Sequence, residues 1–580
     1  MLDRIRHWRA CLEETHSAAF ELRRHFFLRF FDSELVSTPG QMRVVAAGVL
    51  AILLSSSLLF VQAYWHKYIA LDQMPTPEPY RLALLADVLF LITFSMFVIA
   101  MFTTLQWPAL FPGLRDYLAL AGLPVRMREV FVAKFTALVA FAGSFVIATT
   151  LPPSLILPMM IGGRYSTHPT MQVPALFASC SLAALFVFFS LVAVQGVLLN
   201  LLPHRQFVRI SLAIQGALLT ALLCGFPLVL SISSLQNSMN QRPEWAVYVP
   251  PAWFLGLDQV IYGNHEPFAQ RLAWVGLTSV AVAAAAAVLT YLWSYRRHRV
   301  RVLESRDTSA RADQRSWRTG IAARFLPDPR KLAVFSFIGK TLVRSRHHRL
   351  VLTAFAALAI AVVVSSFEGL VLDGGFREVL KRSAAVRQAA ISAPLALSLF
   401  LLAGFRYLFR LPVELPANWV FRVNEAGNRL AFLTATEQFL LCCAVAPVAL
   451  VTLPLEMLLL GVSTGIAAGI LCLVPSLILM EILLVRFEKV PFTSSYLPGR
   501  RPPVETVVIY GTAVMLYISI LGSIINWAMR GKRSTLGVLV ALLAVWWKVR
   551  RDRREDREIG KLEFEELPEP AIQTLSIQRD

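Results

Sequence analysis

Charge is what this chain has least of. Of its 580 residues 16% are Asp, Glu, Lys or Arg, while 56% are hydrophobic. Soluble domains carry about 25% charge, so the shortage excludes the string of soluble domains that length alone would suggest. Strict apolar/polar alternation over ten-residue segments is also missing, which excludes a transmembrane barrel. The six cysteines (Cys11, Cys180, Cys224, Cys442, Cys443 and Cys472) fall mostly inside apolar runs, without metal-ligand spacing, and Cys442 and Cys443 are adjacent in a presumed helix. They read as small buried hydrophobes, with no disulfide framework. No apolar run precedes Val44, and charges are spread through the opening segment. That pattern points away from a cleavable leader. The zinc-binding pattern H-E-x-x-H is absent.

What the chain does have is long apolar runs, each able to cross a ~30 Å hydrocarbon core as a helix. They lie at about 44–65, 82–106, 130–159, 173–202, 209–235 and 270–293, then at 349–372, 388–408, 431–454, 462–486, 505–527 and 534–549. The expectation is an all-α polytopic membrane protein with about 12 transmembrane helices in two six-helix modules. Its parts would be an interfacial segment at 1–43, a first module at 44–294, a basic linker at 295–348, a second module at 349–549 and a charged tail at 550–580. The prolines of "LPPSLILP" are expected to kink the third span or end it early.

The net charge of +19 is distributed unevenly. Residues 1–43 carry Arg4, Arg6, Arg9, Arg23, Arg24, Arg29 and Arg43. The stretch 296–349 holds fifteen Lys and Arg against four acidic residues, and "KVRRDRREDREIGK" follows the last run. Basic segments stay cytoplasmic, near anionic lipid. An even number of spans then places both termini and the linker in the cytoplasm of a cell whose inner membrane holds the chain. "FREVLKRSAAVR" at 376–387 and "RGKRS" at 530–534 run against that pattern. The charge is accounted for by lipid, with no nucleic-acid partner. Trp8, Leu12, Phe20, Phe26, Phe27, Phe30 and Phe31, interleaved with Arg and Glu, suit a helix lying among headgroups. A soluble helix packed on the linker is the alternative.

Several short patterns invite chemistry. "KLAVFSFIGKT" at 331–341 imitates a strand entering a phosphate-binding loop, but Val334 stands where that loop needs its first glycine. No nucleotide site is expected on this chain. Asp87, Glu368, Glu437 and Glu481 are ionisable residues within the runs, each near a helix end, where solvation or a local ion pair accounts for them; Arg486 is a candidate partner for Glu481. Gly461, Gly465 and Gly469 form two overlapping G-x-x-x-G patterns on one helix face, suited to ordinary close packing or to a seam between halves or copies.

Between the second and third runs of each half lies a charged amphipathic stretch of about twenty residues: "WPALFPGLRDYLALAGLPVRMRE" at 107–129 and "FRLPVELPANWVFRVNEAGNR" at 409–429. The order of long span, short amphipathic helix and span opening with Lys134 resembles the permease subunits of type 2 ABC transporters. "YVPPAWFLGL" at 248–257, with Pro250, Pro251, Trp253 and Phe254, is similar to a stretch such permeases carry before their sixth span. The resemblance covers about 1–294. The second half has no Pro-Pro-Ala-Trp-Phe counterpart.

The resemblance implies a permease that couples to a separate ABC ATPase subunit, in two copies, and exports a hydrophobic or amphiphilic substrate. Its coupling residues would be Arg115, Asp116, Tyr117, Leu123, Pro124 and Arg126, and in the second half Glu414, Arg422 and Glu425. This chain would hold no cofactor, with ATP and Mg on the partner. Twelve spans in two repeats also suit an ion-coupled secondary transporter. A non-transporting membrane scaffold is a third reading.

Overall fold

The computed structural model describes residues 20–27, 64–111, 127–161, 169–230, 244–304, 326–372, 383–411, 419–424, 429–485, 487, 489–493 and 503–559. Regular structure among them is helical throughout. Hydrocarbon offers no partner to a backbone N–H or C=O, so each apolar run must satisfy its own as a helix. Nine helices among the described residues are long and apolar enough to cross a membrane. The chain is an all-α polytopic membrane protein, and it divides into two compact units, Met1–Ala312 and Asp313–Asp580.

The first unit contains α1 (20–27), α2 (64–72), α3 (Glu78–Leu105), α4 (Met127–Met160), α5 (Pro169–Leu201), α6 (His204–Leu230), α7 (Pro250–Tyr262) and α8 (Pro267–Glu304). Run 44–65 falls almost wholly outside the described residues. Helix α5 is the axis of the unit and packs against α8, α3, α4 and α7. Its small buried residues Ala175, Ala183, Ala184 and Ala193 allow that close approach.

The end of α3 is held by side chains from two other helices, α5 and α6. Gln215 Nε2 donates to the Thr104 carbonyl and Gln195 Nε2 to that of Trp107, each at 2.8 Å. Trp107 Nε1 donates to Ser211 Oγ at 2.8 Å, and Asn200 Nδ2 ties α5 to the Thr290 carbonyl at 3.0 Å. A helix C-terminus leaves carbonyls without intrahelical donors, and in an apolar setting side-chain amides take their place. Around this knot Phe102 stacks on Phe145 with ring centroids 3.8 Å apart, beside Phe141.

The prolines of the third run do not end it. Helix α4 continues through Pro152, Pro153 and Pro158 to Met160, so of the kink or early stop expected there, the early stop does not occur. Opening a turn in an apolar span would expose several backbone groups, whereas continuing forfeits only the donors proline already lacks.

The second unit contains α9 (Pro329–Arg344), α10 (Arg346–Leu372), α11 (Ser383–Leu408), α12 (Trp419–Val423), α13 (Arg429–Leu440), α14 (Ala446–Leu460), α15 (Val462–Leu483), α16 (Pro503–Ala528) and α17 (Lys532–Ile559). A π turn at Leu441–Val445 joins α13 to α14, so residues 429–460 form one continuous span with a local wide turn. The seam of α11 is closed in the same way as that of α5: Gly404 lies where a Cβ would meet the Phe355 side chain of α10 at 2.9 Å. Run 534–549 lies within α17, which carries its helix unbroken into the charged tail. Lys532, Arg533 and Lys548 bracket its apolar stretch too closely for it to count among the nine.

An amphipathic helix lies against the third span in each unit. In the first, Phe26 of α1 is fully buried, Phe27 meets Phe141 of α4 edge-on, and Lys134 Nζ lies 4.9 Å above the Phe26 ring. In the second, Val334, Ile338 and Leu342 form the buried stripe of α9, and Phe335 meets Phe439 of α13. The spacing i, i+4, i+8 is that of one helix face.

Candidate functional site

The residues implied for ATPase coupling lie mostly outside the described residues: Arg115, Asp116, Tyr117, Leu123, Pro124 and Arg126, together with Glu414 and Glu425. Their flanks are fixed. Before the first stretch, Phe111 stacks on Tyr291 of α8 with centroids 4.8 Å apart. After it, Lys134 is buried against α1. Arg422 lies on α12, which is anchored through Phe421 against Phe337 of α9 and Phe432 of α13. Trp419 and Val423 of the same short helix are exposed.

The Pro-Pro-Ala-Trp-Phe stretch opens α7. Pro250 and Pro251 occupy first-turn positions, where the missing N–H costs nothing, and Gly263 ends the helix at φ 106°. Trp253 Nε1 donates to the Val247 carbonyl at 2.6 Å and so closes the preceding turn, Glu244–Tyr248, onto the helix. Phe254 is fully buried and its ring lies 6.0 Å from that of Phe186 on α5. Two glycines let α7 and α8 touch. A Cβ on Gly256 would stand 2.5 Å from Leu272 Cβ, and one on Gly276 would stand 3.3 Å from Trp253 Cβ.

One turn beyond Phe254, on the same face, is Asp258. It is 4% exposed, and its buried Oδ1 has no hydrogen-bond partner among the described residues. Burial alone pushes its carboxyl up to about 7. The titratable side chain within its electrostatic reach is the Cys180 thiol of α5. Gln172 Oε1 and Ser179 Oγ, on the same buried face of α5 as Cys180, also lack partners.

In the second unit the glycine face turns inward onto its own hairpin. A Cβ on Gly465 would meet Met457 Cα at 2.5 Å, and one on Gly469 would meet Leu453 Cδ1 at 2.5 Å and Glu456 Oε2 at 2.8 Å. Gly461, at φ 87°, makes the turn between α14 and α15. The face therefore serves the α14–α15 seam within the unit. Glu456 is held in that seam. It is 1% exposed, and neither carboxyl oxygen has a hydrogen-bond partner among the described residues.

The other acids in the spans are paired or near ends. Both carboxyl oxygens of Asp87 lie 2.7 Å from Lys67 Nζ, and Tyr68 Oη donates to Oδ2 at 2.7 Å. Glu368 lies on α10. Arg486, the sequence-based candidate partner of Glu481, lies outside the described residues. Glu481 instead meets Arg553 of α17, whose Nη2 also reaches Glu437 Oε2 at 3.2 Å. Arg553 is 4% exposed.

The phosphate-loop lookalike is helical. Gly339, Lys340 and Thr341 lie within α9, whose backbone N–H groups are engaged along the helix and cannot wrap a phosphate. An open depression of about 500 Å³ on α9 is lined by Pro329, Ser336, Phe337 and Lys340.

Sequence reasoning passed over three residues: Asp258, Glu456 and Arg553. A usable signal existed for the first, since Asp258 follows Phe254 by four residues in an otherwise apolar helix. Comparison with known proteins finds no matching family model, curated protein or solved structure.

Proposed function

We propose that the chain is the permease component of an ATP-driven transporter of the type 2 ABC class, a fused pair of six-helix modules working in the inner membrane. It would export a hydrophobic or amphiphilic substrate while two copies of a separate ATPase subunit hydrolyse ATP. The observation that carries this reading is the arrangement around α4. An amphipathic helix, α1, is clamped to the third span, and the 115–126 stretch precedes that span immediately in the sequence. In this reading a cytoplasmic partner acts on the stretch, and its force is received by α3 and α4, which flank it in the sequence. The Pro250–Phe254 helix before α8 supports the same class, and α9 on α13 repeats the clamp in the second unit. The helical course of Gly339-Lys340-Thr341 agrees with ATP being handled elsewhere.

The test is purification in mild detergent with and without charge reversal at Arg115 and Asp116. An ATPase subunit co-purifies with the wild type and is lost from the variant. If none associates and transport persists without ATP, the reading fails.

A second reading, an ion-coupled secondary transporter built from two repeats, is favoured by one feature, the solitary carboxyl of Glu456 inside a span. Asp87 and Glu437 speak less for it, since both are ion-paired. Uptake driven by an imposed pH gradient in vesicles free of ATP separates the two.

A further inference from the structure

Among the described residues the carboxyl of Glu456 has no counter-charge and no hydrogen-bond partner, and its oxygens are buried. Such a group cannot sit there as an anion without a large desolvation cost. The surroundings offer nothing to offset it. Helix α15 presents Gly465, Gly469 and the Cys472 thiol, with Tyr517 of α16 behind Cys472. The cysteines of the π turn, Cys442 and Cys443, are exposed. Gly469 leaves no room beside Oε2 for even a methyl group. Among the described residues no cluster of ligating side chains stands there to hold a metal ion, whereas a proton needs none.

We infer that Glu456 is a proton-binding site of the second unit, a carboxylic acid while the α14–α15 hairpin is closed and a carboxylate once the hairpin parts. The position suits exchange. Glu456 lies four residues before the end of α14, about 6 Å along the helix from the hairpin turn by helical rise. Opening the Gly465–Gly469 seam at that turn would bring water to the carboxyl and let the proton leave to it. Closing the seam expels the water and requires the proton back. The proton is thus bound and released in step with one local movement, whether ATP or an ion gradient supplies the energy.

Infrared spectroscopy of the full chain in lipid nanodiscs at neutral pH tests this directly. A protonated carboxyl gives a carbonyl stretch separate from the amide bands. The expected result is a band that moves on ¹³C-glutamate labelling and is absent from Glu456→Gln. Labelling keeps the test intact should that variant fail to accumulate, and it separates Glu456 from Asp258, whose band would not move. A second variant, Gly469→Ala, crowds Oε2 and is expected to lower the pH at which the band disappears. Absence of any glutamic-acid band at neutral pH, with Glu456 reporting as carboxylate, would overturn the inference. So would a glutamic-acid band that survives in Glu456→Gln. Transport assays of Glu456→Gln then read separately on the ATPase-coupled function, which the infrared result leaves untouched.

Discussion

Arg553 donates to Glu481 across seventy-two residues of sequence, and both side chains are almost completely buried. The same guanidinium reaches Glu437 on α13 at 3.2 Å, and Arg550 adds a longer contact to Glu437 at 3.9 Å. One cation thus fastens α17 to the ends of two other helices. A guanidinium, with its forked donors, can serve two carboxylates in a way an ammonium cannot.

Removing that cation leaves buried acid behind. Arg553→Ala is expected to cost about 3–5 kcal/mol, the usual penalty for orphaning one side of a buried pair. The double variant Glu437→Gln/Glu481→Gln in the Arg553→Ala background should recover much of it, because no charge is then stranded. Thermal unfolding in detergent reads both. Equal instability of the single and combined variants would mean that packing, not charge, holds α17.

Asp258 makes stability depend on pH in a defined direction. Its ordinary value is 3.8 and its folded value about 7, so between them the folded chain keeps a proton that the unfolded chain releases. Stability from this group is greatest below 3.8, falls as pH rises toward 7 and is level above. The whole interval corresponds to on the order of 4 kcal/mol. Asp258→Asn cannot ionise and should flatten the slope. Melting temperatures of wild type and variant at about pH 5 and about pH 8 decide it: an unchanged slope in the variant places the dependence elsewhere.

The architecture was legible in the sequence because lipid leaves little choice. Long apolar runs must be helices, and Pro250, Pro251 and Gly263 mark both ends of α7 by their own backbone chemistry. The buried polar groups were not legible, for separate reasons. Arg553 is one of several arginines in "KVRRDRREDREIGK", and which of them turns inward depends on the phase of α17 against α13 and α15. Glu456 fell just beyond a span placed at 431–454, whereas the helix continues to Leu460. Pro454 stands at that boundary, and the helix carries through it.

Gly256 tests whether the α7–α8 seam tolerates any side chain. A Cβ there would lie 2.5 Å from Leu272 Cβ and 2.9 Å from the Ala269 carbonyl oxygen, and the backbone oxygen cannot swing away. Gly256→Ala should destabilise the first unit by about 1–3 kcal/mol through overpacking. Ala in place of Gly143, where nothing lies within 4 Å, is the control and should be neutral or slightly stabilising through helix propensity. Similar melting temperatures for the two variants would show that the seam is looser than its distances imply.

The contact between Phe26 and Lys134 carries the proposed coupling route, and its two components can be separated. Phe26→Ala removes both the buried ring and the cation–π contact, and should cost about 3–5 kcal/mol in docking of α1. Phe26→Leu keeps most of the apolar volume and loses the ring's electrostatic attraction, worth about 0.5–2 kcal/mol. Arg23 and Arg24 are exposed on the same short helix and give trypsin a place to report undocking, since a docked helix resists cleavage and a detached one does not. The expected order of cleavage rates is Ala fastest, Leu intermediate and wild type slowest. If Leu and Ala are cleaved equally fast, the ring's interaction with Lys134 dominates. If Leu matches wild type, burial alone holds α1 against α4, and the clamp acts through shape rather than charge.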